Sequence, residues 1–359
     1  MGAVVVTPGT PHSLHVRTDV PAPPLAGESV VVRVLQAGVC GTDVEINQGL
    51  FGEAPAGCDY LILGHENLGV VERCPSQSGL WARDLVVSTV RRGCPEGCAA
   101  CAAERSDMCL TGRFSERGIR RLHGFMSEQY SEQARYLVRV PDTLRGVAVL
   151  MEPLSVVEKG IEQALHLYER FSWRPQNAMV LGAGPVGLLA ALALRLRGLD
   201  VSVAALEPEG SPRDLLLREA EIRYFSTAAG GIQALPERTG RVDLVFEATG
   251  ATEVVMPAMS LLGPNGICVL SSVTAGHLTL PVDVAAWNQE MVLGNRVVFG
   301  TVNAGRRHFE AGVQDMEMAE SRFPGWLGRL ITRRVPYTDA GRAIEHRPED
   351  IKTVLEFAD

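Results

Sequence analysis

At 359 residues, with 46% hydrophobic and 21% charged, the chain is long enough for two domains that each bury a core. A formal net charge of −8 without any basic block argues against a nucleic-acid partner. No apolar run reaches the roughly 18 residues of a membrane span, and Met1–Pro8 lacks a positive segment before its short apolar run, so a cytoplasmic protein is expected.

The first ninety or so residues read as short β-rich runs broken by Pro and Gly: Ala3–Val6, Ser29–Leu35, Leu68–Glu72 and Leu85–Val90. Pro21-Ala22-Pro23-Pro24 reads as a surface connector. Four of the eight cysteines, Cys94, Cys98, Cys101 and Cys109, then fall within sixteen residues, spaced C-x3-C-x2-C-x7-C. Four thiolates so close in sequence can close a tetrahedron around one zinc ion, leaving no open position, so a structural site is expected. The metal would stabilise a lobe with few apolar residues of its own. Gly124–Val140 holds two more expected strands, and Leu154 to about Phe171 carries apolar residues at helical spacing.

From residue 177 the pattern changes to alternating strand and helix, the signature of a doubly wound parallel sheet. Strands are expected at Met179–Leu181, Val201–Leu206, Ile222–Phe225, Leu244–Ala248, Ile267–Ser271 and Val297–Val302, with helices at 186–197, 211–220 and 252–262. Gly182, Gly184 and Gly187, with Pro185 and Val186, form a G-x-G-x-x-G turn between the first strand and first helix. There a pyrophosphate can approach the backbone at the helix N-terminus. Glu207 lies twenty positions past Gly187 at the end of the second strand, where an acid accepts hydrogen bonds from the adenosine ribose. That carboxylate would repel a 2′-phosphate, and no arginine follows until Arg213, so NAD is expected over NADP. Thr249, in Ala248-Thr249-Gly250, is expected near the nicotinamide ribose, with a plain strand-to-helix turn as the alternative. A helix at His308–Glu320 and a helix–strand finish through Ala340–His346 and Lys352–Phe357 follow; the last segment has too little core of its own and is expected to rejoin the first domain.

Cys40, His65, Glu66 and Glu152 are dispersed. Singly they read as a buried core cysteine, a hydrogen-bonded core histidine and a helix-capping glutamate. Together they offer soft and hard ligands of the kind that build an open catalytic zinc site, although spacing alone does not bring them together.

Cys40-Gly41-Thr42-Asp43, Gly64-His65-Glu66, the four-cysteine lobe, Glu152-Pro153 and Gly182–Gly187 occur in the order found in the zinc-dependent medium-chain dehydrogenase/reductase family, which the chain resembles over almost its whole length. Arg113–Ile119, His123–Met126, Tyr136–Val138, Glu152-Pro153-Leu154 and Val302-Asn303 with Arg307-His308-Phe309 are most similar to the archaeal glucose dehydrogenase branch. The resemblance implies an α/β architecture: a GroES-like β-barrel catalytic domain (1–155 and 303–359, with the zinc lobe at 93–110) and a Rossmann domain (156–302) with a six-stranded parallel sheet. It implies a catalytic zinc at Cys40, His65 and Glu66 and/or Glu152, hence two zinc ions per chain. Glu116 and Asn303 match sugar-contacting positions, Asn303 also lying by the cofactor. Thr42 is expected to relay the first proton from the alcohol. Glu66 is expected to approach the metal or support it from behind, and Asp43 to orient His65 or a water.

Two departures stand out. The first cysteine spacing is x3 instead of x2, implying a displaced ligand or a bulged turn. Leu293 stands where the archaeal enzymes carry a sugar-contacting histidine, which shifts the expected substrate from glucose to another sugar, cyclitol or aminocyclitol. The expected reaction is hydride transfer from a secondary alcohol of such a compound to NAD. Glucose 1-dehydrogenase proper, or a simple alcohol or enone reductase on the same scaffold, is the alternative. An apolar last strand without a charged guard suggests a homodimer or homotetramer built on the sheet edge.

Overall fold

The computed structural model describes residues 1–23, 27, 29–171, 173–274, 278–345 and 347–357; Pro24 of the expected connector and His346 of the expected closing helix lie outside them. Two units divide the chain, Met1–Ser155 with Asn303–Glu317 and Leu327–Asp359, and Val156–Val302 with Met318–Trp326. The segment Met318–Trp326 thus leaves the first unit, where the whole C-terminal stretch was expected. It is anchored by Trp326, a fully buried indole whose Nε1 donates to the Leu216 carbonyl at 2.7 Å.

In the first unit the strand Ser29–Val39 is the hub of a seven-stranded sheet. It pairs antiparallel with Glu66–Arg73, Gln129–Gln133 and Lys352–Glu356, so residues more than three hundred positions apart share one sheet. Its β-branched run Val30-Val31-Val32 suits a pleated surface buried on both faces, and all three are buried. Val32, Val34, Ala37, Leu61, Leu63, Phe125 and Met126 belong to one core beneath it. A small sheet of Arg91–Arg92, Ser115–Arg117 and Arg121–Leu122 carries the cysteine lobe.

The second unit contains six parallel strands in the order Arg223–Ser226, Asp200–Ala205, Asn177–Leu181, Val242–Glu247, Leu262–Leu270 and Val297–Gly300. Strand and helix alternate as expected. The order reverses beside Asn177–Leu181, and a ligand crevice in such sheets lies at that switch point, outside the strand ends. Three helical stretches differ from expectation. The stretch 252–262 forms only one turn, Thr252–Val255, and a 3₁₀ segment Pro257–Leu261, because Pro257 has no N–H to continue the ladder. A further helix, Val284–Leu293, has no buried residue and no one-sided apolar stripe, so periodicity could not find it. The helix expected from Leu154 starts earlier, at Met151, with Pro153 tolerated in its first turn.

Gly182 has φ +104°, a conformation that favours glycine, and a Cβ on Gly187 would stand 2.1 Å from the Gly182 carbonyl oxygen. Gly184 has open space around it. Gly187→Val should therefore destabilise the protein by about 1–3 kcal/mol through overpacking. Gly184→Ala should leave Tm nearly unchanged while weakening NADH binding. Thermal melts beside NADH fluorescence titrations check both.

Candidate active site

The short helix Gly41–Asn47 starts directly after Cys40, and its Asp43 reaches back so that Oδ2 accepts the Cys40 N–H at 2.9 Å, as in a capping box. Oδ1 accepts the Gly64 N–H at 3.3 Å. One carboxylate thus fastens the segment bearing Cys40 to the segment bearing His65 and Glu66. Asp43 is fully buried; burial pushes its carboxyl up, against the pull of His65 and the Cys40 N–H. His65 Nδ1 lies 3.7 Å from Asp43 Oδ1, too long for a hydrogen bond. Burial works against a charged His65, but Asp43, Cys40 and Glu152 outweigh it and hold the ring well above the usual histidine range.

Ligand atoms of Cys40, His65 and Glu66 all lie within 4.8 Å of one another. Glu66 opens the strand Glu66–Arg73 opposite Gly38, and a Cβ on Gly38 would fall 1.9 Å from Glu66 Oε2. The missing side chain at 38 is what makes room for the carboxylate. Glu66 Oε1 is ion-paired with Lys352 Nζ, and both groups are almost wholly buried. Burial disfavours the Lys352 charge, yet Glu66 and Cys40 raise it above the ordinary lysine value. Lys352 was not anticipated. Its one signal is a lysine heading the strand run Thr353-Val354-Leu355, which reads equally as a strand-end surface charge.

Glu152 sits in the first turn of Met151–Tyr168, half-buried, outside the three-residue cluster but close enough for His65 and Lys352 to act on its charge. Its carboxyl is pushed up to about 7 by burial and by Glu66, against those two cations. Thr42 Oγ1 lies 3.9 Å from Cys40 Sγ and is half-buried. Glu116 and Asn303, 187 positions apart, meet: Asn303 Nδ2 donates to Glu116 Oε1 at 3.3 Å. Asn303 is buried at φ +59°, its Oδ1 accepting the Ala304 N–H. Leu293 is 74% exposed at the end of Val284–Leu293, in the second unit, whereas Glu116 and Asn303 lie in the first.

The donor set suits a metal. His65 Nδ1 and Glu66 Oε2 are buried without hydrogen-bond partners, a costly state for a ring nitrogen and a carboxylate oxygen unless an ion or water is taken up. The lobe fits equally well, with the sulfurs of Cys94, Cys98, Cys101 and Cys109 mutually within 4.8 Å. The extra residue in the first spacing is absorbed at Gly97, whose φ is +59° and whose N–H donates to the Cys94 carbonyl, so no ligand is displaced. Backbone N–H groups of Cys94, Cys98 and Leu110 donate to Cys101, Cys94 and Cys98 sulfurs at 3.4–3.5 Å, as suits thiolates.

In the second unit Gly184 caps the helix Pro185–Leu196, with Pro185 and Val186 in its first turn. Thr249 donates through N–H and hydroxyl to Glu247 Oε1, which tightens the turn after Val242–Glu247. Glu207 is ion-paired with Arg213, and its carbonyl accepts from the Tyr224 hydroxyl at 2.8 Å. Six residues of separation do not keep Arg213 away, because the chain turns at Pro208–Ser211 and the helix Pro212–Glu219 brings it back.

A family described as glucose dehydrogenase C-terminus matches residues 145–357, and one described as alcohol dehydrogenase GroES-like domain matches residues 26–142. The chain is 47% identical to a glucose 1-dehydrogenase of Methanocella arvoryzae and 43% identical to that of Thermoproteus tenax, covering 99% of both chains in each comparison. A Haloferax mediterranei glucose dehydrogenase, solved in complex with NADP, zinc and gluconolactone, superposes with a TM-score of 0.91 at 32% identity over 100% of both chains.

Removing one member of a buried ion pair strands the other. Lys352→Met should destabilise metal-depleted protein by about 3–5 kcal/mol, and Lys352→Met with Glu66→Gln should recover much of that loss. Urea unfolding of the chelated variants gives the measurement.

Proposed function

The chain belongs to the zinc-dependent medium-chain dehydrogenase/reductase family, in its glucose dehydrogenase branch, and on that premise we propose that it oxidises glucose at C1. The C1–H leaves as hydride for the nicotinamide, the hydroxyl proton leaves toward solvent, and the lactone is the product. The meeting of Glu116 and Asn303 in the same unit as the Cys40–His65–Glu66 cluster, with Glu152 close enough for both Glu66 and Glu116 to act on its charge, carries this reading. An acceptor and a donor fixed together are what recognising a polyhydroxylated ring requires. The expectation of a cyclitol or aminocyclitol rested on Leu293. That side chain is exposed, and the full-length relatives are glucose 1-dehydrogenases, so glucose displaces it.

Cys40, His65 and Glu66, with Glu152 beside them, would hold the catalytic zinc, which when bound supplies Lewis-acid activation of the substrate hydroxyl. Asp43 fixes the backbone on which Cys40 and His65 stand, and Lys352 holds Glu66. Thr42, next to the Cys40 sulfur, accepts the hydroxyl proton and passes it outward. The four-cysteine lobe would hold the second, structural ion.

Gly182, Gly184, Pro185, Val186 and Gly187 form the pyrophosphate cradle, Glu207 takes the adenosine ribose, and Thr249 lies toward the nicotinamide. NAD is the preferred cofactor because Glu207 is present. Arg213, paired with it, lowers the repulsion a 2′-phosphate would meet, so NADP is used as well. A second copy of the chain is the fitting partner. Among the described residues the strand Val297–Gly300 pairs on one side only, and the neighbouring helix leaves Val284, Val292 and Leu293 exposed.

Purified protein given glucose should form NADH and gluconolactone in equal amounts, with kcat/KM for NAD above that for NADP. Turnover of cyclitols without glucose would overturn the substrate reading. Arg213→Ala should widen the preference for NAD by about tenfold, the equivalent of one lost charge contact. A preference narrowed by that substitution would contradict the role given to Arg213.

A further inference from the structure

Glu116 does not hold its position by itself. Arg91 Nε donates to Glu116 Oε1 at 3.0 Å, Arg91 Nη2 stands 2.9 Å from the same oxygen, and the Asn303 amide reaches it at 3.3 Å. Among the described residues, Oε2 is left without a hydrogen bond and is the oxygen available to a ligand. The guanidinium is held in turn by the cysteine lobe. Its Nη1 donates to the Asp107 carbonyl at 3.3 Å, its carbon lies 3.7 Å over the Phe114 ring, and the Arg91 carbonyl accepts from the Ser106 hydroxyl at 3.4 Å. Ser106 and Asp107 belong to the 3₁₀ turn Ser106–Met108, immediately before the last lobe cysteine, Cys109. Arg91 is buried, and the Glu116 side chain is only 12% exposed, so the pair is shielded from the screening that weakens surface ion pairs.

We infer that Arg91 is a positioning residue for sugar recognition: it aims Glu116, and it passes the order of the cysteine lobe to the substrate site. The inference rests on the reading of Glu116 as a sugar contact. A planar guanidinium is needed here, because one group must reach Glu116 with two N–H donors, reach the Asp107 carbonyl with a third, and lie flat on Phe114. A lysine ammonium carries the charge but cannot span those directions.

The test is a kinetic cycle on the zinc-loaded enzyme with glucose and NAD, using Arg91→Lys, Glu116→Gln and the double variant. Arg91→Lys should raise KM for glucose by about tenfold while changing kcat by no more than about twofold, with NADH affinity and zinc content unchanged. Glu116→Gln should raise KM similarly, and the double variant should be no worse than Glu116→Gln alone, because Arg91 acts through Glu116. Should Glu116→Gln leave KM unchanged, the reading of Glu116 fails. If it raises KM but Arg91→Lys does not, or if the two effects multiply in the double variant, the positioning role is overturned and the Glu116 reading stands. A parallel fall in kcat, NADH affinity and zinc content would mark Arg91 as merely structural and also overturn it. Arg91→Gln, read by the same criteria, serves if the lysine variant does not accumulate as folded protein.

Discussion

The Asp43 carboxylate is the constraint on which the candidate metal site depends. It accepts the backbone N–H of Cys40 and that of Gly64 beside His65, reinforcing the Gly38–Glu66 strand pairing that brings the two segments together. Hydrogen bonds to a buried charged acceptor contribute about 1.5–3 kcal/mol each, enough to hold a preformed ligand arrangement against loop entropy. Burial raises the Asp43 carboxyl, and the neighbouring histidine and N–H oppose that rise, so the group and its surroundings are matched to each other. Thr42 owes its place near the Cys40 sulfur to the same helix start.

A common arrangement recurs around the other acids. Glu66 is paired through one oxygen with Lys352, Glu116 through one oxygen with Arg91, and Glu207 through one oxygen with Arg213. In each case the cation offsets the desolvation of the carboxylate. For Glu66 and Glu116 the second oxygen is left without a hydrogen bond among the described residues. Polar groups committed on one side and open on the other are costly for stability and useful for binding, which is why they gather at sites. Among the described residues no cation is bound directly to Glu152, and its carboxyl is pushed up to about 7.

Much of this was legible in the sequence, for reasons that differ by element. The inner strands of the second unit were visible because strands buried on both faces are near-continuous apolar runs, and the G-x-G-x-x-G turn carries its own backbone requirements at Gly182 and Gly187. The cysteine lobe was legible because its ligands are local. Cys40, His65 and Glu66 could be named only as candidates, since their meeting depends on pairings centred on Ser29–Val39. Lys352 and Arg91 were missed because each acts across long sequence separations, 286 residues to Glu66 in one case and 25 to Glu116 in the other. Arg213 was noticed but judged too distant, an error of turn geometry. Val284–Leu293 was missed because a helix with no buried face writes no period into its sequence.

Two separate donor sets in the first unit, one dispersed and one local, would each bind one zinc ion. Metal stoichiometry by mass spectrometry on the wild type, Cys40→Ala and Cys101→Ala tests it most directly. The expected result is two zinc ions per chain in the wild type and one in each variant, with Cys40→Ala keeping a near-wild-type Tm and Cys101→Ala melting at a lower temperature. One zinc per wild-type chain, unchanged in Cys40→Ala, would contradict it.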